Sequence, residues 1–595
     1  MSTGPQDADT ATSTMPCPHC EAQVPTGAFC GQCGAHLAHP RGSRHWLRIG
    51  TYAAASHEHV LLPTLTSSLF PHLPHRSRLA FRVGLATLLL VLIVSAALRW
   101  QAPVIAIGSL GLPLLFFVYV YEAGVHEHLR LRMLVPTLIA GVSLGVAWAL
   151  LTGRIVARST NRALGSGLLP SRLLLDGFAI PVASAALMLI PVMLAWRWRL
   201  PTRKPLDGFI IGALGAISFT AAGTLTRLAP QFATGQIAHG RPIGGLLVEA
   251  TIQGVAMPLT AAAAGGLVGT ALWFTPRFPW PSRRWLVPVA VVVLIAYAAL
   301  GITDVSGYPE MVQAAVELVV ALLVVLALRI GLHMALLHHA HGPSPGAPLV
   351  CPECAKVLPE LPFCPDCGVA SQPAPLRYTS HARLAAGLAV GLAPVVAAAV
   401  VVTWILTPSA RVYVCPPDCG EPPTGMPIQT NPRFTAGDGG FSVSYPGKAM
   451  FYSSVLENDG VVLDLHAGDG GTLQLMGQPA AARDPRQIAA ELIKKTYPDA
   501  TMDYELPNAM VGYQPGYGEI DDVYPEDVEG TYTRLRVLVL VAVKNGLALI
   551  AAAVGPYHEF TPDFGTGSPS GANLELALDI GKYVNSFRWR GDPPR

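Results

Sequence analysis

Nine apolar runs long enough to cross a bilayer, a cysteine pattern that occurs twice with one spacing, and a late change to short alternating segments together predict a fold class. It is a multi-span α-helical membrane protein (about nine spans) with two small zinc ribbons and a C-terminal α+β extracytoplasmic domain. Composition agrees, since 51% of the 595 residues are apolar and only 13% charged, with a mean hydropathy of +0.42. That is too apolar for an ordinary soluble multi-domain chain. The 40 basic residues nearly balance the 38 acidic ones and form no long block, so charge gives no case for a nucleic-acid partner. The first seventy residues lack a short apolar core with a cleavage site, and the first span is expected to direct targeting.

In chain order, residues 1–40 hold the first ribbon. CPHCEAQVPTGAFCGQC at 17–33 is matched by CPECAKVLPELPFCPDC at 351–367, within a second ribbon and its linkers at 337–383. Two CxxC knuckles aim four thiolates at one point, so Cys17, Cys20, Cys30 and Cys33, and then Cys351, Cys354, Cys364 and Cys367, are expected to bind zinc, two structural ions in all. Four protein ligands leave no position for a reactive water, which points to a structural or docking role. Knuckles this small need the metal to fold. Gly34 and Gly368 follow the second pair of each module, where positive φ costs glycine little. The alternative is two disulfides per module, which requires an oxidising compartment.

A juxtamembrane segment, 41–79, precedes an eight-span bundle, 80–336, and a ninth transmembrane helix, 384–406. The spans are read at 80–98, 102–122, 133–152, 177–196, 208–226, 244–274, 285–303, 311–336 and 384–406, the sixth tilted or broken near Pro258. Arg76, Arg78, Arg130, Arg132, Arg197, Arg199, Arg203, Lys204, Arg277, Arg283 and Arg284 all fall on one side. By the positive-inside rule that side is the cytosol, against which Arg154, Arg158, Arg162 and Arg172 count. Eight spans return the chain to its starting side, so the N-terminus and residues 337–383 are expected to be cytosolic. The ninth span exports the chain from residue 407 onward. The stretch VLLPTLTSSLFPHL at 60–73 is too short to span and is expected to lie against the membrane surface or the core.

PLDGFIIGALGAISFTAAGTL (205–225), GLPLLFFVYVYEAGVHEHLRLRM (111–133) and AMPLTAAAAGGLVGTALWF (256–274) are glycine-rich on a spacing that suits close helix approach. Together they resemble the PrsW family of bacterial intramembrane proteases, over roughly residues 80 to 335. The resemblance implies a bacterial cell membrane, and motifs EExxK, FxxxE and a His-led segment that activate water. Aligned on Pro181, the first motif falls on Ser184, Ala185 and Met188. The second, anchored on Asp207, Gly208 and Phe219, ends at Gly223, and the third, anchored on Pro258, Leu259 and Thr260, begins at Met257. None of these can take a proton from water, so the resemblance implies a pseudoprotease.

Other ionisable groups in or near spans are Glu122, Asp176, Asp207, Glu249 and Glu317, with His126, His128, His239 and His333 near span ends. Glu249 is the best replacement base, against the reading of a neutral packing carboxyl; Glu317 is read the same way. Asp207 is expected to cap the fifth span. His57, His59, His72, His75, His338, His339 and His341 are read as interfacial or solvated, against an added metal site.

A Pro-rich linker, 407–435, carries Cys415 and Cys419 in CPPDC, read as a short-loop disulfide, with two free thiols as the alternative. The last domain, 436–595, shows strands at 441–446, 461–467 and 472–477, a helix capped by Asp484 before Pro485, and a hairpin turning at Lys544, Asn545 and Gly546 inside the apolar run 534–555. A last helix near 573–583 and a strand at 586–589 complete a sheet with helices on one face, which resembles the small PsbP- or LpqN-like domains of bacterial envelope proteins. Residues 512–527 are expected to form a loop suited to an extracellular partner or to be an ordinary exposed loop.

Three functions stand as expectations. The first is a sensor or scaffold that links an envelope-side binding domain to cytosolic ribbons, with membrane lipid and protein partners on both sides. The second is an active protease using Glu249. The third, a transporter, lacks the matched broken-helix repeats such folds carry.

Overall fold

The computed structural model describes residues 14–18, 20–37, 52–55, 58–73, 75–122, 131–159, 164, 173–197, 204–234, 236–237, 242–275, 282–305, 308–338, 349–351, 353–354, 356–358, 361–370, 381–406, 430–447, 452–465, 471–523, 535–556 and 580–593. Cys415, Cys419, His57, His126, His128, His239, His339 and His341 lie outside them, as does the side chain of Glu122.

Among the described residues, nine helices are long and apolar enough to cross a membrane: Ser77–Ala97, Gln101–Tyr121, Met133–Gly153, Leu175–Arg197, Pro205–Leu228, Ile243–Trp273, Leu286–Thr303, Glu310–His338 and Ala386–Ile405. They are called the first to ninth long helices. The sixth is broken where expected: a π-turn, Ile252–Ala256, precedes Met257 and Pro258. The fourth repeats the device, with a π-turn at Leu175–Ala179 two residues before Pro181. A proline has no N–H to give back to the preceding turn, and a widened turn absorbs that loss.

The fifth and sixth helices form the centre, and glycine sets their approach. A Cβ on Gly269 would stand 1.9 Å from the Gly208 carbonyl oxygen, and one on Gly212 would stand 2.1 Å from that of Gly265. Each helix thus offers two glycines four residues apart to the other. Gly269→Ala is expected to force the backbones apart and cost about 1–3 kcal/mol. Thermal unfolding of the detergent-solubilised chain measures it.

The C-terminal region is strand-rich. Strands are numbered along the whole chain: β1 (Thr14–Pro16), β2 (Gln23–Pro25), β3 (Leu349–Val350) and β4 (Val357–Leu358) form two hairpins, one in each ribbon. The rest are β5 (Arg433–Thr435), β6 (Phe441–Ser444), β7 (Tyr452–Leu456), β8 (Gly460–Leu465), β9 (Gly471–Pro479), β10 (Thr501–Glu505), β11 (Met510–Val511), β12 (Gln514–Pro515), β13 (Tyr517–Val523), β14 (Leu535–Lys544), β15 (Leu547–Pro556) and β16 (Arg588–Trp589). Seven make one antiparallel sheet in the order β10-β13-β14-β15-β9-β8-β7, while β16, β6 and β5 form a smaller one. The hairpin turns at Asn545 and Gly546, both with positive φ. Asp484 caps the helix Pro485–Thr496, accepting from the Gln487 N–H at 2.7 Å within a capping box.

Two expectations need correction. The large sheet is covered on both faces, not one. Ile488, Ala489, Leu492 and Ile493 of that helix pack on Val537, Val539, Val541, Ile550 and Ala552. The other face, with Leu473, Leu475, Leu549 and Ala551, meets Phe441, Val443, Tyr583 and Phe587. Double burial is why β14 and β15 read as continuous apolar runs. Secondly, residues 517–523 are not a loop but β13, paired with β10 and β14, and its acids are buried. Arg536 Nε donates to Asp522 at 3.1 Å and the Tyr517 hydroxyl donates to Glu519 at 2.8 Å.

Burial, with Glu519 and Asp522 beside it, pushes the Asp521 carboxyl up to about 6. A raised folded value favours the folded state below the ordinary carboxyl value of about 3.8, and that benefit is lost as pH rises through about 6. Amide exchange across β13 in the intact chain, corrected for intrinsic rate, is expected to be slower at low pH than at neutral pH. Asp521→Asn is expected to flatten the difference.

Candidate metal centres and their seat on the bundle

Each ribbon is a short hairpin followed by a second knuckle. Cys17 N–H donates to Ala22 O at 2.9 Å, and Cys351 N–H to Lys356 O at 2.9 Å, closing the first knuckle of each. The second closes through Gly34 N–H to Cys30 O at 2.6 Å and Gly368 N–H to Cys364 O at 2.9 Å, both glycines with positive φ as expected.

These turns gather the sulfurs. Cys17 and Cys33 Sγ stand 3.8 Å apart and Cys20 and Cys30 Sγ 3.7 Å; in the second ribbon Cys351–Cys367 is 3.3 Å and Cys354–Cys364 3.6 Å. Within each group all four ligand atoms lie within 4.8 Å of one another. Thiolates about 2.3 Å from a tetrahedral ion sit about 3.8 Å apart, whereas a disulfide holds its sulfurs about 2.05 Å apart. Both groups fit a metal ion, and the eight cysteines are unbridged. Burial pushes the Cys20 thiol up to about 11, so binding must displace protons. Metal retention is expected to weaken by more than tenfold for each unit the pH is lowered below neutral, read by transfer to a colorimetric chelator.

The two ribbons are paired, which the sequence left open. Phe29 N–H donates to Pro365 O at 2.8 Å, and Phe363 N–H donates to Gly31 O at 2.9 Å. Phe363 and Pro365 occupy the places in ribbon 2 that Phe29 and Gly31 occupy in ribbon 1, so the bonds are related by a local two-fold exchange. The packing repeats it: Gly27 meets Pro365, and Gly31 meets the Leu361 side chain.

The pair sits at one end of the bundle. Ala370 N–H donates to Ala53 O at 3.1 Å, Ala53 N–H donates to Nδ1 of His333 in the eighth helix at 3.0 Å, and Arg78 at the start of the first helix pairs with Glu353. Residues 58–73 then run over the bundle as a strap. Leu69, Phe70 and Leu73 join the main core, the second of the two places expected for 60–73.

Beneath the strap lies a residue the sequence reading passed over. Arg329, fully buried in the eighth helix, donates to Val60 O at 3.1 Å, Thr64 Oγ1 at 2.9 Å, Ser67 Oγ at 2.6 Å, His59 O at 3.2 Å and Glu58 Oε2 at 3.0 Å, and stacks 4.0 Å from the Tyr52 ring centroid. Burial raises the Glu58 carboxyl, but hydrogen bonds from Ser67, Thr64 and Arg329 outweigh it and hold the carboxyl below its ordinary value. The one signal was a cation inside an apolar run. His72, expected at an interface or in solvent, is buried within this strap, and burial lowers it to about 4.

The resemblance positions are distributed. Ser184, Ala185 and Met188 are buried in the fourth helix, Ser184 Oγ accepting from Trp148 Nε1 at 2.5 Å. A Cβ on Gly223 would stand 3.7 Å from Gly145 O. Trp148 and Gly145 share the third helix, one turn apart, so Ser184 and Gly223 border the same helix. Met257 instead packs with Val248, Ile252 and Ala314. Glu249 is buried just ahead of the π-turn, and Glu317 and Asp176 are buried too. Asp207 does not cap the fifth helix: Lys204 is the cap residue and Asp207 lies in the first turn, because Pro205 takes the first helical position.

No family model matches the chain, and no curated protein matches it. A solved structure from Bacteroides thetaiotaomicron VPI-5482 aligns at 11% identity over 27% of this chain and 48% of that one, with a TM-score of 0.18. The alignment spans about half of that protein and carries no argument about function.

Proposed function

We propose that the protein is a multi-pass membrane sensor or scaffold, and that it couples a binding domain on the envelope side to a zinc-held ribbon pair in the cytosol. The observation that carries this reading is the position of the two ends. Ribbon 2 is tied to Ala53 and Arg78 near the C-terminal end of the eighth helix, whereas Asp499 of the C-terminal domain accepts from Glu310 N–H, at 2.8 Å, at the other end. That helix has 29 residues, a rise of about 43 Å, enough to separate two compartments. The PrsW resemblance makes the bundle a pseudoprotease, its motif positions holding Ser184, Ala185, Met188, Gly223 and Met257.

A second reading is favoured by Glu249, a buried carboxyl beside a π-turn, a feature common at functional sites. In that reading the bundle cleaves peptides with Glu249 as base. Incubating the nanodisc-embedded chain with single-span substrates separates the two. The scaffold reading expects no cleavage above background, and cleavage lost in Glu249→Gln would overturn it.

A further inference from the structure

One face of the C-terminal sheet holds a polar group that an apolar core does not tolerate alone. Strand β9 alternates: Leu473 and Leu475 enter one core, and Gln474 points into the other, beneath the helix Pro485–Thr496. Gln474 is 5% exposed, surrounded by alanine, valine and isoleucine. A buried primary amide needs both a donor and an acceptor.

Both come from one residue outside the domain. Leu164, between the third and fourth long helices, donates its N–H to Gln474 Oε1 at 2.5 Å and accepts from Gln474 Nε2 at 3.2 Å. Its side chain is 2% exposed, packed in the cluster that holds Ile488, Leu492, Val539 and Ile550. A side-chain amide that takes N–H and C=O of the same residue reads peptide backbone, and the pocket beside it reads an apolar side chain.

The geometry points to a peptide-binding site on this face, its resident ligand the chain's own segment at Leu164. An extended peptide with a leucine-sized side chain would compete for it, and the bond between the C-terminal domain and the bundle is therefore releasable. The site is independent of the ribbons and of the fate of the PrsW-like positions.

The probe is a fluorescent peptide of residues 159–169, added to the full chain in nanodiscs and followed by anisotropy. Leu164→Asp removes the resident apolar side chain from the pocket and is expected to tighten peptide binding at least tenfold over wild type. Adding Gln474→Ala to it is expected to remove that gain. A second measurement avoids any variant that fails to fold: saturating peptide, added to wild type, is expected to raise the rate of tryptic cleavage between positions 158 and 172 several-fold. Equal peptide affinity in wild type and Leu164→Asp, or cleavage unchanged by peptide, overturns the proposal and leaves Leu164 a packing contact.

Discussion

Removing the metal from the intact chain is expected to unfold both ribbons together and to loosen the strap 58–73. Among the described residues the core of ribbon 1 is Cys17, Val24, Cys30 and Ala35, and that of ribbon 2 is Cys351 and Cys364 with Phe363, Val369 and Ala370 buried beside them. Such cores hold nothing by themselves, whereas a four-thiolate site contributes about 10–16 kcal/mol at neutral pH. Metal analysis is expected to return two ions per chain, and Cys364→Ser to return one. The surviving ion should also be held less firmly, because Cys364→Ser removes the partner of the Phe29–Pro365 and Phe363–Gly31 bonds. Two backbone bonds at about 0.5–1.5 kcal/mol each correspond to a rise in release rate of about five- to 150-fold. An unchanged release rate would mean that the ribbons fold independently.

Arg329→Met is expected to be the most damaging single change in the bundle. It leaves the Glu58 carboxylate, held by Ser67 and Thr64, with only the exposed Arg82 guanidinium, 3.2 Å away, as a cation, and breaking the buried side of such a pair costs about 3–5 kcal/mol. Adding Glu58→Gln is expected to recover part of that loss, since the two residues form one network. Thermal unfolding of the single and double variants in detergent gives the coupling. The sign with pH is set by Glu58: its carboxyl is held below the ordinary value of about 4.5, so its contribution is present above that value and fades as pH falls below it. Additive losses in the two variants would show that Arg329 acts through the strap hydroxyls alone.

What the sequence made legible, and what it hid, divides by the range of the interaction. The long helices, the knuckles, the capping box at Asp484 and the turn at Asn545 depend on residues within one element or one turn, and periodicity or spacing displays them. The close approach at Gly212 and Gly269 was legible as a glycine spacing that suits it, but which helix would meet which was not. Arg329 was hidden because its partners lie some 260 to 270 positions earlier, in a segment read simply as apolar. The acids of β13 imitate a solvated loop; what buries them is a helix and two strands that the segment itself does not announce. Gln474 looked like one polar residue in a strand, and only Leu164, 310 residues away, gives it a purpose. The ribbon pair lies between these cases. Repetition made two modules plain, yet the sequence contained no mark of the bonds between them.

The most direct test of the account is a photo-crosslink from position 26, next to Gly27 where it abuts Pro365. A photoreactive residue replaces Thr26 in the full-length chain, and mixed isotope-labelled chains distinguish links within one molecule from links between two. The paired-ribbon account predicts crosslinks within one chain to residues 361–370, lost when a chelator strips the metal. Crosslinks that survive chelation, or that never reach ribbon 2, would contradict it.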